Sequence, residues 1–170
     1  MLDDIENYLN NIDTLIVDFI QKSDNNQQDK GVLYIKKPGF FRWEYAAPKS
    51  VIIVGREDLV TYYDIELKET SYISIDNILT NLLIGSDISL PNDDIAILTI
   101  LDSDYEVIVS FYQKSNPQHG ILSLSFIKEP MTLKEIRVVN QLEENINIML
   151  HNHRYSEAIS KKLFYLPRGD

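Results

Sequence analysis

Gly31-Val-Leu-Tyr-Ile-Lys-Lys-Pro-Gly-Phe-Phe-Arg-Trp-Glu-Tyr45 reads as two short strands on either side of Lys37-Pro38-Gly39. Its apolar residues fall on alternate positions, and a strand sends successive side chains to opposite faces. Leu33 and Ile35 therefore share one face of the first strand, and Phe41, Trp43 and Tyr45 one face of the second. Three aromatics in line make a large, rigid apolar surface. Taken alone, such a stripe is ordinarily the packed core of a sheet. It can also form the wall of a pocket, and which of the two it forms bears directly on function.

Upstream, residues 3–12 read as a short amphipathic helix, with Ile5, Leu9 and Ile12 at helical spacing and acids in the first turn. From Thr14 the period changes to two. Leu15, Val17 and Phe19 alternate with Ile16, Asp18 and Ile20, which predicts a strand ending near Lys22. Ser23 to Lys30 is polar and predicts a loop. Downstream, Pro48 breaks the chain, and Val51 to Val54, which includes Ile53, is a short, continuously apolar strand. Leu59 to Tyr63 and Lys68 to Ser74 predict two more. Ile78, Leu79, Leu82 and Leu83 then cluster at helical spacing, with Asp76 as a candidate N-cap and Gly85 as the stop.

The remainder is strand after strand: Ile95 to Leu101, Tyr105 to Gln113, Ile121 to Ile127, Thr132 to Val139 and Asn145 to His151. Polar turns separate them, Asn116 to Gly120 most clearly. Tyr155 to Lys161 reads as a short helical crossing. Many short strands with turn signals between them predict one antiparallel sheet that curls. The two helical pieces of the N-terminal half are then available to cover its concave face.

A chain of 170 residues fits one domain, here residues 1–170, with a real core. The 26 acidic side chains against 16 basic give a formal charge of −10, which would repel nucleic acid and anionic membrane surfaces. The chain has no cysteine, so disulfides, thiol nucleophiles and zinc–thiolate sites are excluded together. No apolar run reaches membrane-spanning length. Met1-Leu-Asp-Asp opens an acidic, helix-like stretch with no secretory leader in view.

Signals for chemistry are sparse. His151 and His153 stand two apart at a strand end, but no third ligand is indicated beside them. Asp93-Asp94 and Asp102-Ser-Asp104 lack the spaced ligand loop of a calcium site and read as solvated turn acids. Neither a Ser–His–acid arrangement nor a Gly-rich phosphate loop is suggested. The expectation is a protein that is not an enzyme, with no catalytic residue, metal or cofactor.

The segment around the aromatic stripe resembles the signature region of the LolA-type outer-membrane lipoprotein carriers of Gram-negative bacteria. The resemblance begins at a strand ending Phe19-Ile-Gln21 and continues through the Gly31 to Pro38 strand and Phe41-Arg-Trp43. It extends to the Tyr63-Asp64 turn and to Leu163-Phe-Tyr-Leu-Pro167, which is similar to the family's closing strand. Order and spacing match over nearly the whole chain. Three departures stand out. Gly55 lacks the family's preceding Asp, Tyr62 and Tyr63 stand where a Trp is usual, and Lys37 stands where members carry Arg. Lysine is a point charge without the planar guanidinium fork.

The resemblance implies an incomplete, half-open antiparallel β-barrel, mainly β, with short helices forming a lid over the concave face. It implies a periplasmic carrier, its leader already removed, that binds acyl chains of lipoproteins. The partners implied are acylated lipoproteins, the inner-membrane lipoprotein-releasing ABC transporter and the outer-membrane lipoprotein receptor, with the carrier a monomer. The expected cavity wall is Leu15, Val17, Phe19, Leu33, Ile35, Phe41, Trp43, Tyr45 and Ile53. Ile78, Leu79, Leu82 and Leu83 form the expected lid, with Lys37 as its latch. Each buried methylene contributes about 0.8 kcal/mol, so one chain of about sixteen carbons approaches 12 kcal/mol and cargo cannot cross water unaided. Two alternatives stay open: the lipoprotein receptor of the same fold, and a general lipid-binding barrel.

Overall fold

The computed structural model describes residues 1–56, 59–73 and 78–166. Helix α1 spans Leu2–Asn10 and α2 Ile78–Ile84. The strands are β1 Thr14–Ser23, β2 Gln28–Lys36, β3 Phe40–Tyr45, β4 Val51–Arg56, β5 Leu59–Asp64 and β6 Glu69–Ile73, then β7 Ile95–Asp102, β8 Glu106–Gln113, β9 Ile121–Ile127, β10 Thr132–Val139 and β11 Asn145–Tyr155. All eleven belong to one sheet in the order β6-β5-β4-β3-β2-β1-β11-β10-β9-β8-β7. Neighbours from β2 to β6, and again from β7 to β11, are antiparallel. Such pairs need only turns to connect them, which is why the chain can proceed strand by strand. The sheet does not close, and β6 and β7 are its two edges. The mainly β class, the open antiparallel sheet and the short helices are as expected. Asp76 and Pro167, expected as a helix cap and as the end of a closing strand, lie outside the described residues.

The chain divides into two compact units. One comprises Met1–Asn11, Ile20–Gln28 and Asp87–His151. Here α1 buries Ile5 and Leu9, while Tyr8 meets Phe126 of β9 edge-on with ring centres 5.7 Å apart. Alternation on β8 and β9 buries Val107, Val109, Phe111, Leu122, Leu124 and Phe126. The loop before β7 is tied to α1. Asn10 bonds the Ile88 backbone in both directions, at 2.9 and 2.7 Å, and the Glu6 carboxylate accepts from Leu90 N–H at 2.6 Å.

The other unit comprises Ile12–Phe19, Asp29–Ser86 and Asn152–Asp170. Its strands bury side chains on both faces. One face carries Leu15, Val17, Phe19, Leu33, Ile35, Phe41, Trp43 and Tyr45. On the other, Ile52, Val54, Ile159 and Phe164 form a second cluster with Ile16, Tyr34, Phe40, Tyr63, Leu163 and Leu166.

Four local expectations are corrected. Strand β2 begins at Gln28, inside the segment read as a loop. Its polar start is held by backbone pairing, with Ala46 N–H donating to Lys30 O at 2.8 Å. Strand β11 runs to Tyr155, past His151, because Asn152 and Arg154 both reach the Asp18 carboxylate, at 3.0 and 2.9 Å. The helical crossing expected over Tyr155 to Lys161 is therefore replaced by the end of β11 and irregular chain up to Ser160. The closing strand expected from Leu163 is likewise absent in the described residues. Lys161–Phe164 wind one 3-10 turn, capped by Ser160, and Phe164 docks against Phe40 with ring centres 5.4 Å apart.

Candidate functional site

The aromatic face is assembled by register. Leu33 pairs with Trp43, Trp43 with Ile53, and Ile53 with Tyr62, so one row of side chains crosses β2 to β5. The next row runs Ile35, Phe41, Gly55 and Val60. Phe19 of β1 sits at the centre of the aromatic group, its ring 5.0 Å from Trp43 and 5.2 Å from Tyr45 between centroids. Two glycines leave room for these rings. A Cβ on Gly31 would collide with the Glu44 carbonyl and lie 2.8 Å from Phe19 Cζ, and one on Gly55 would overlap the Phe41 ring.

Eight of the nine expected wall residues are buried, and Ile53 is half-buried. Trp43 retains 6 % of its surface and Leu33 none, so this face is packed in the state described. Among the described residues the Trp43 indole Nε1 is buried without a hydrogen-bond partner.

Helix α2 stands beside β3 and buries Ile78, Thr80, Leu82, Leu83 and Ile84. The expected lid residues Ile78, Leu82 and Leu83 are therefore buried, Leu79 is half-buried, and Thr80 and Ile84 join them. Seven residues are too few for a helix to stand alone in water, so α2 owes its form to what it packs against. Hydrogen bonds fix its C-terminal half to the turn between β2 and β3. Gly39 N–H donates to Ile84 O at 2.9 Å, and Lys37 Nζ donates to Leu82 O at 3.4 Å. A cation at carbonyl groups near the C-terminal end of a helix is also favoured by the helix dipole. Burial pushes the Lys37 ammonium down from 10.5 to about 8, because the charged form loses water there.

The opposite face of β1–β4 holds a feature the sequence reading missed. The segment after β11 lies across it as a strap. Lys36 Nζ donates to Ile159 O at 2.7 Å, Arg42 Nη1 to Leu163 O at 2.9 Å, and Thr14 Oγ1 to Glu157 O at 2.7 Å. Arg56 lies over the Tyr165 ring, 4.4 Å from its centre. Between strap and sheet is an apolar pocket of about 420 Å³ lined by Ile16, Tyr34, Ile159, Leu163 and Lys162 among others. The signal that could have disclosed this face was the unbroken Val51-Ile52-Ile53-Val54 run, since a strand covered on both sides does not alternate.

Among the described residues no group of three His, Asp or Glu side chains is placed to hold a metal ion. His153 stacks on Tyr155, ring centres 6.0 Å apart. No described helix is long and apolar enough to cross a membrane.

Comparison with known proteins adds family and fold. The family model described as outer membrane lipoprotein carrier protein LolA matches residues 10–167. An uncharacterized protein of Rickettsia prowazekii is 27 % identical over 133 residues, 78 % of this chain and 62 % of its own length. An outer-membrane lipoprotein carrier protein of Pseudomonas aeruginosa is 26 % identical over 144 residues, 81 % of this chain and 67 % of its own. The chain thus spans roughly two thirds of the length of these curated relatives, and less than that of the first. Two solved structures share the fold. One is an uncharacterized conserved protein from Thermus thermophilus, with a TM-score of 0.59 and 12 % identity over 98 % of this chain and 92 % of its own. The other, a LolA superfamily protein from Nitrosomonas europaea, has a TM-score of 0.56 and 10 % identity over 97 % and 96 %.

Proposed function

The chain belongs to the outer membrane lipoprotein carrier family, and we propose that it receives the acyl chains of lipoproteins on the aromatic face of β1–β3 when α2 moves aside. The observation that carries this reading is the pairing of a large apolar face with a short helix held at its C-terminal half. The wall offers Phe19, Leu33, Ile35, Phe41, Trp43 and Tyr45, all buried. The helix is seven residues long and is fastened through Lys37 and Gly39. A carrier has to shield its wall when empty and yield it to cargo, so its cover must be displaced at small cost.

In this reading Lys37 is the latch, Ile78, Leu79, Leu82 and Leu83 the moving surface, and residues 1–170 act as one carrier domain. The protein works in the periplasm as a monomer, between the inner-membrane lipoprotein-releasing ABC transporter and the outer-membrane receptor. Two or three buried acyl chains at about 0.8 kcal/mol per methylene would exceed the practical affinity ceiling of roughly 18–21 kcal/mol. Carriage therefore depends on partial burial, with the energy of displacing α2 set against that of binding.

The test is binding of a fluorescent fatty-acyl probe and its displacement by a diacylated lipopeptide. Enhanced probe fluorescence reversed by lipopeptide supports the reading. A probe that stays dim at every concentration overturns it. Co-precipitation with the periplasmic domain of the releasing transporter tests the partner separately.

A further inference from the structure

The wall contains one group that a surface for hydrocarbon alone does not need. Trp43 is 94 % buried by its 6 % residual exposure, and its indole Nε1 has no hydrogen-bond partner among the described residues. Its cross-strand neighbours on the same face are Leu33 and Ile53, and the nearest aromatic ring is that of Phe19. None of these side chains carries an oxygen or nitrogen that could accept. Buried indole N–H groups usually find a partner, and leaving one unpaired destabilises the state that contains it. Phenylalanine would supply a rigid aromatic surface without that cost, as Phe19 and Phe41 do on this face.

We propose that Trp43 is the polar contact of the acyl site, its indole N–H donating to the ester carbonyl oxygen that joins an acyl chain to its head. The proposal rests on the carrier reading and gives it a specificity. The site prefers an acyl ester to an alkyl chain of the same length, because only the ester supplies an acceptor. The unpaired donor raises the energy of the empty wall and is satisfied when cargo arrives. The difference between the two states thus favours loading by more than apolar burial provides.

The chain has a single tryptophan, so one indole N–H resonance and one tryptophan emission band report on this group. The experiment compares palmitoyl lysophosphatidylcholine with its hexadecyl ether analogue, which differs by one carbonyl oxygen, as competitors for a bound fatty-acyl probe. The wild-type protein is expected to bind the ester about tenfold more tightly, the size of effect one buried hydrogen bond sets. Trp43→Phe should bring the ratio of ester to ether affinity from about ten to about one, whatever it does to the two affinities together. Replacement of Trp43 by benzothienylalanine keeps the ring shape without the N–H and should do the same if Trp43→Phe folds poorly. In nitrogen-15 spectra the indole proton should move downfield with the ester and not with the ether.

Equal affinity of wild type for both lipids, or equal weakening of both by the substitutions, overturns the role of Trp43 and leaves the carrier reading intact. Failure of both lipids to displace the probe from wild type overturns the two together.

Discussion

Phe41 fills the space that a side chain on Gly55 would need. The two residues face each other across β3 and β4, and a Cβ at position 55 would overlap Cε1 and Cδ1 of the ring. Gly55→Ala is expected to destabilise by about 1–3 kcal/mol through overpacking. Urea denaturation should show a lower midpoint with an unchanged slope. Phe41→Leu in the same chain should recover part of the loss, the coupling expected of residues in contact.

Leu82 separates a lid from a core. It is 1 % exposed, so Leu82→Ala should cost about 2–4 kcal/mol of stability. If α2 covers the acyl wall, the same change raises the population of the binding-competent state, and a fatty-acyl probe should bind more tightly. Titration of the probe against wild type and variant decides the matter. Weaker or unchanged binding in a folded variant would assign α2 to the permanent core.

The pH response of Lys37 has a definite sign. In the unfolded chain it titrates near 10.5 and in the folded protein near 8. Between those values the unfolded chain holds the proton and the folded protein does not, so stability rises with pH across that window. Below about pH 8 the folded protein bears the whole cost of an ammonium short of water. Relative to Lys37→Met, the wild type should therefore gain roughly 1–2 kcal/mol from pH 7 to pH 10.5, with solvent access limiting the effect. Paired urea titrations at several pH values measure it, and a difference independent of pH would refute it.

Phe164 anchors the strap on the opposite face. It is wholly buried and lies 5.4 Å from Phe40 between ring centres. Phe164→Ala should lower stability by about 3–5 kcal/mol. Because the strap carries Lys161 and Lys162 in its turn, trypsin should cut there sooner in the variant than in the wild type. Equal cutting rates would mean that the polar ties from Lys36, Arg42 and Thr14 hold the strap unaided.

The sequence made the strands legible wherever one face of the sheet is apolar. Alternation placed Leu15, Val17, Phe19, Leu33, Ile35, Phe41, Trp43 and Tyr45 on one surface, and the structure puts them there. It failed where pairing holds polar residues in a strand. Gln28 to Lys30 and Asn152 to Tyr155 lie within strands because backbone groups and Asp18 bind them, and side-chain polarity carries no sign of that. The strap was out of reach for another reason. Arg42 meets the Leu163 carbonyl across 121 positions of chain, a contact no local pattern encodes. The family resemblance singles out Lys37 as the basic residue before Pro38. That it reaches the Leu82 carbonyl, and loses water in doing so, follows only from the fold.

The seam where β1 meets β11 also has a kinetic consequence. Strands β2 to β6 and β7 to β11 each pair with their sequence neighbours, and hairpins of that kind close in microseconds. Asp18 and Asn152, by contrast, join across 134 positions, and Ser156 N–H reaches Thr14 O beside them. Bringing those segments together costs loop-closure entropy before any contact there repays it. Refolding is therefore expected to wait on the pairing of β1 with β11 rather than on the local hairpins.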